Sequence, residues 1–161
     1  MDAAALAARL TRLEDIEAIR NLVATYALGA DRNNDPAIFG PLFAADAVWE
    51  CAGFGRYEGA ENIARELARI GREDIRWSLH YMVSPLIEPA PDGRHARCRW
   101  YLWELARIAA DSGAPAAHWI GGTYDTQLEK GPDGWRFTHV SLDLKLLSPH
   151  TEGWHTLPPA A

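Results

Sequence analysis

The sequence predicts an α+β fold in which a strongly curved, mixed or antiparallel sheet wraps as a cone-shaped barrel around a long N-terminal helix. Two observations carry this. Apolar residues recur at helical spacing early in the chain, and from Ile75 onward the period changes to two. The later segments are long and separated by turn sequences, Pro91-Asp92-Gly93, Ser112-Gly113-Ala114-Pro115 and Gly131-Pro132-Asp133-Gly134. One face of each such strand needs an apolar partner, and a long amphipathic helix supplies it.

The elements follow in order. Thr11 and Glu14 have capping-box spacing, and Leu13, Ile16, Ile19, Leu22, Val23 and Tyr26 form the stripe of a helix of about five turns. The breakers Asp31 to Pro36 end it. A short second helix carries Ile38, Phe39, Leu42 and Phe43. Asp46 to Gly59 reads as two short strands around Gly53-Phe54-Gly55, with Trp49 and Cys51 on one face and Val48, Glu50 and Ala52 on the other. Ala60 opens a third helix with Ile63, Leu67 and Ile70 inward, closing near Gly71. Long strands are predicted over Arg76–Glu88, Ala96–Ile108, His118–Glu129 and Trp135–Leu147. Gly121-Gly122 marks a bend in the third of them. The chain is read as one domain over 1–161, with its core over about 13–147 and a tail over 148–161 anchored by Trp154.

Composition narrows the function classes. At 161 residues, 48% apolar, the chain can bury a sizeable core without staples. A formal charge of −6, with no Lys/Arg run, argues against nucleic acid as a partner. Arg65, Arg69, Arg72 and Arg76 are interleaved with Glu61, Glu66, Glu73 and Asp74, the pattern of a solvated helix face. Cys51 and Cys98 lack metal or redox spacing and read as small buried hydrophobes. No signal-peptide core and no membrane-length apolar run is found, so a cytoplasmic protein without membrane partners is expected. Seven tryptophans permit a pocket for a small hydrophobic organic ligand. No metal-ligand cluster and no phosphate-binding loop occurs in the sequence, and no cofactor is expected.

The ordered set Ile19–Asn34, Leu42–Glu50, Tyr57–Ile63, Leu79–Glu88 and Gly121–Phe137 resembles the SnoaL-like branch of the nuclear-transport-factor-2-like (NTF2-like) superfamily, over about residues 13–147. That superfamily includes scytalone dehydratase, bile-acid dehydratases, polyketide cyclases, ketosteroid isomerase-type enzymes and the small subunits of ring-hydroxylating dioxygenases. In the dehydratase-like members a Tyr and an Asp near the end of the first helix meet a His from the third strand. The matching positions here are Tyr26, Asp31 and His80. The chain departs from the pattern at Ser84, where relatives often hold Asn, and in the last strand, where His139, Ser141 and Asp143 stand near the place of an Arg in some relatives.

The resemblance implies that Asp31 holds His80 as a general base, because a carboxylate on one imidazole nitrogen fixes the tautomer and raises the basicity of the other. It implies that Tyr26 donates a hydrogen bond to a developing oxyanion. Substrate contacts are expected from Trp49, Met82, Ser84, Glu104, His118 and Tyr124. Glu104 stands out as a carboxylate on the otherwise apolar face of Cys98, Trp100 and Leu102, and a buried Glu needs a partner that sequence alone does not name. The expected activity is a cofactor-independent, dehydratase-like lyase acting on a small hydroxylated cyclic or aromatic carbonyl compound. An isomerase or polyketide cyclase with the same dyad, a non-catalytic dioxygenase small subunit and a ligand-binding protein are the alternatives. A homodimer through the outer face of the sheet is expected, with a trimer as the alternative.

Overall fold

A computed structural model describes residues 2–110 and 113–151 of the chain. Trp154 and the rest of the tail beyond Thr151 lie outside the described residues. Helix α1 spans Ala3–Asp31 and begins about nine residues before the predicted start. The side chain of Asp2 caps it by accepting from the Ala5 amide at 2.7 Å. The alanines at 3, 4, 5, 7 and 8 favour helix more strongly than the capping-box spacing favours a start at Thr11, so Thr11 and Glu14 lie inside the helix. Its buried face is Asp15, Ile19, Val23, Tyr26, Gly29 and Ala30. Asp15 is satisfied there by Lys130 Nζ at 2.7 Å and Trp135 Nε1 at 2.9 Å, which ties the helix to the far end of the sheet.

Helix α2, Pro36–Phe39, and a single 3₁₀ turn, Gly40–Leu42, follow. Phe43 was predicted to end this helix. It instead opens strand β1, Phe43–Cys51, in extended backbone. Strand β2 is Gly55–Glu58 and helix α3 is Ala60–Glu73. The four long strands are β3 (Ile75–Pro89), β4 (His95–Ile108), β5 (Ala116–Gly131) and β6 (Gly134–Pro149).

The six strands form one mixed sheet in the order β2-β1-β6-β5-β4-β3. Strands β1 and β6 are parallel and every other neighbouring pair is antiparallel. This is the expected α+β architecture, with α1 lying in the concave side of an unclosed sheet. The sheet bends where the β5–β6 register shifts between Gly121 and Gly122. A Cβ on Gly122 would stand 2.6 Å from the Asp143 carbonyl oxygen, so the bend requires glycine. Along β4, Ala96, Cys98, Trp100, Leu102, Glu104 and Ala106 face inward and are buried. The opposite face exposes Tyr81, Trp103 and Leu146, which the register aligns in one row across β3, β4 and β6 with Gly121 between them. Among the described residues no helix is long and apolar enough to cross a membrane.

Candidate active site

Asp31 is the last residue of α1, and its position is set by the loop that follows. Asn33 and Asn34 turn the chain in the left-handed region, with φ of 57° and 55°. Asn34 Nδ2 then donates to the Leu67 carbonyl of α3 at 2.8 Å. A Cβ at Gly71 would lie 2.4 Å from the Asn33 carbonyl oxygen, so the glycine is what admits this loop against α3. The helix end is thereby clamped, and the Asp31 carboxylate reaches strand β3.

Asp31 Oδ1 accepts two hydrogen bonds from His80, from the backbone N–H at 2.8 Å and across the 2.9 Å contact with ring Nδ1. This orients the imidazole and places the Nδ1 proton toward Asp31. On the other side of the ring, Glu104 is the direct cross-strand partner of His80 in the β3–β4 ladder. Its Oε2 lies 3.3 Å from Nε2. Glu104 is only 3% exposed, and its second oxygen, Oε1, is buried without a hydrogen-bond partner.

Burial pushes the His80 imidazole toward the neutral form. The charge of Glu104 and the hydrogen bonds to Asp31 and Glu104 act the other way and win, pushing His80 up to about 9. The ring lies between Asp31 on Nδ1 and Glu104 on Nε2.

These groups face a small cavity, with about 50 Å³ open to the centres of water-sized molecules. Tyr26, Asn34, Trp49, His80, Glu104 and Tyr124 supply its polar atoms, and Phe54, Leu142 and Leu144 are among its apolar walls. Tyr26 sits within a cluster of aromatic rings, edge-on to Phe39 with centroids 4.8 Å apart and 5.7 Å from Tyr124. Its hydroxyl accepts from Trp49 Nε1 at 2.8 Å. Burial pushes both Tyr26 and Tyr124 above the ordinary phenol range, so both remain hydroxyl donors. Trp100 stacks on Tyr124 at 4.8 Å and backs the cavity.

Of the residues expected at the site, the structure brings together Asp31, His80, Tyr26, Trp49, Glu104 and Tyr124. Met82, Ser84 and His118 stand outside the cavity walls. Met82 packs against the core from β3. Ser84 is exposed with φ 55°, at the register shift between Val83 and Leu86. His118 Nδ1 lies 3.0 Å from the Ala116 carbonyl near the start of β5. Trp119 stacks on Trp103 at 5.4 Å. His139 pairs with Glu50 at 3.0 Å. Asn34 and Phe54 were not singled out from the sequence. Their signals were an Asn pair directly after a helix end and a lone aromatic between two glycines. Among the described residues no group of three or more His, Cys, Asp or Glu is placed to hold a metal ion.

A long N-terminal helix lying in an unclosed, curved mixed sheet is the α+β cone of the NTF2-like proteins. The chain belongs to the SnoaL-like domain family, which matches residues 11–141. Among solved structures it is similar to a type 2 hexachlorocyclohexane dehydrochlorinase, LinA, at 21% identity and TM-score 0.82, covering 95% of this chain and 99% of that one. LinA-type3 from Novosphingobium barchaimii LL02 gives 21% identity and 0.81 over 94% and 99%. A protein from Novosphingobium aromaticivorans DSM 12444, proposed to be a scytalone dehydratase, gives 18% and 0.74 over 87% and 90%. At these identities the structural likeness establishes the fold. No curated protein matches the sequence.

Proposed function

We propose that this protein is a cofactor-independent lyase of the dehydratase type, working in the cytoplasm on a small hydroxylated cyclic or aromatic carbonyl compound. The observation that carries the reading is the 2.9 Å contact between Asp31 Oδ1 and Nδ1 of His80, a residue that lines the cavity. The neutral form of His80 removes the proton next to the carbonyl, and Asp31 steadies the imidazolium that results. Tyr26 donates to the oxygen that gains charge, its own oxygen being occupied by the Trp49 N–H. The C–O bond then breaks and water leaves. Trp49 and Tyr124 hold the ring of the substrate. The names of the dehydrochlorinase and dehydratase neighbours, loss of hydrogen chloride and loss of water, agree with an elimination.

The test is a panel of β-hydroxy ketones, 3-hydroxycyclohexanone among them, followed by the absorbance of the conjugated enone. His80→Gln is expected to lower kcat by at least about 10²-fold, the usual weight of a general base. Undiminished turnover in that variant would reject the reading. Binding without conversion across the panel would favour a ligand-binding protein.

We further propose that a second copy of the chain covers the outer face of the sheet, making a homodimer. The exposed row of Tyr81, Trp103 and Leu146 supports this. Trp103→Glu should then convert a dimer to a monomer by light scattering. A wild-type monomer would end the idea, and a trimer would replace it.

A further inference from the structure

Glu104 is the least expected group inside the cone. It is a carboxylate on an apolar strand face, 3% exposed, and it blocks the very nitrogen the lyase reading needs as a base. Half of it remains unused: Glu104 is one of the residues that line the cavity, and its Oε1 is buried with no hydrogen-bond partner within the protein. Leaving such an oxygen unsatisfied is costly, and a protein retains the arrangement where a ligand completes it.

We propose that Glu104 is the second catalytic residue of this site, the acid that protonates the departing hydroxyl and then recovers its proton from His80. The inference rests on the lyase reading. The proton between Nε2 and Oε2 has two positions, imidazolium with carboxylate or imidazole with carboxylic acid. A substrate that fills the cavity expels water, and a low-dielectric surrounding favours the uncharged pair. Entry of substrate therefore moves the proton onto Glu104 Oε2, and Nε2 becomes free once that O–H turns to the departing hydroxyl.

The cycle then balances without a solvent proton. Nε2 takes the proton from the carbon next to the carbonyl, and the electron pair of that C–H bond becomes the new carbon–carbon double bond. The C–O bond breaks, its electrons go to oxygen, and the Glu104 proton joins that oxygen to release water. His80 is left as imidazolium and Glu104 as carboxylate, which is the resting pair. The outgoing oxygen takes its proton from Oε2, and the O–H it carries donates to Oε1, which has no hydrogen-bond partner within the protein.

The experiment has two arms. In the first, without substrate, the His80 imidazole is titrated by NMR in wild type and in Glu104→Gln, with circular dichroism to check folding. The midpoint should drop by at least one pH unit in the variant, and an unchanged midpoint overturns the pairing. In the second, 3-hydroxycyclohexanone is compared with 3-acetoxycyclohexanone, whose acetate leaves without a proton. Glu104→Gln should lose about 10²-fold in kcat on the hydroxy ketone and keep its turnover of the acetoxy compound, whereas His80→Gln should lose both. Equal loss by Glu104→Gln on the two compounds overturns the acid role and leaves the Asp31–His80 dyad standing. Turnover by His80→Gln overturns the lyase reading itself. Should wild type convert neither compound, the titration arm decides alone whether His80 and Glu104 share the proton.

Discussion

Two histidine–carboxylate pairs of similar length occupy very different parts of this protein. Asp31 and His80 meet at 2.9 Å inside the cone, and Asp92 and His95 meet at 2.7 Å in the β3–β4 turn. At the turn both side chains are exposed, 65% for His95 and 48% for Asp92, and water screens what they do to each other. The His95 ring and then the Arg94 and His95 amides pull Asp92 down to about 2. In the interior burial alone would favour the neutral imidazole, and Glu104 and Asp31, one on each ring nitrogen, outweigh it and push His80 up. Contact length is nearly the same in the two pairs. What differs is burial and the second carboxylate on the His80 ring.

The two pairs should therefore show themselves at opposite ends of the pH scale, and the interior pair gives the larger effect. His80 in the folded chain binds its proton more tightly than an ordinary imidazole, about 9 against 6.5. A group raised in this way contributes its full stability below the unfolded value, and the contribution is lost as pH rises through the folded value. Unfolding free energy from urea titrations is expected to fall between pH 6.5 and 9.5 by on the order of 3 kcal/mol. His80→Gln should flatten that limb. A wild-type curve that is flat across the interval would mean the imidazole is not held as a cation.

The same pair shows how far the sequence could be read. The helix-then-meander order, the inward face of β4 and the presence of a lone Glu on it follow from periodicity, and Asp31 and His80 follow from the family pattern. The partner of Glu104 did not follow, and the reason is register. Near the turn, Glu88 opposes Arg97 and Ile87 opposes Cys98. Continued without interruption, that register would set Tyr81 across from Glu104. The shift between Val83 and Leu86, where Ser84 takes φ 55°, sets His80 there instead. A one-residue slip exchanges the two faces of a strand, so the acid–base cluster depends on a bulge that hydrophobic pattern does not announce. The start of α1 was misplaced for another reason: a plausible capping box lay inside a run of strong helix formers. The cavity walls at Asn34 and Phe54 belong to loops, whose positions follow from contacts distant in sequence.

A smaller effect is expected from the clamp that positions Asp31. Gly71→Ala places a methyl group where the Asn33 carbonyl now lies, and backbone on both sides leaves little room to give. Overpacking of this kind costs about 1–3 kcal/mol. The displaced loop carries Asp31 with it, so the His80 imidazole resonances and titration should move while those of His95 stay fixed. Destabilisation with an unaltered His80 titration would show that the loop does not set the Asp31–His80 contact.

The smallest effect belongs to the surface pair. Asp92 lies below the ordinary value of 3.8 in the folded chain, so what it contributes is present above that value and is lost as pH falls through about 2. Its Oδ1 also accepts from the Arg94 and His95 amides, at 2.8 and 3.0 Å, a turn that an asparagine side chain reproduces. Asp92→Asn should thus shift Tm at neutral pH by less than about 3 °C and make the acid limb between pH 4 and 2 slightly shallower. The alkaline limb should not change. If it did, the fall in stability above neutrality would have to be shared between the two pairs, and the contrast drawn from burial would no longer hold.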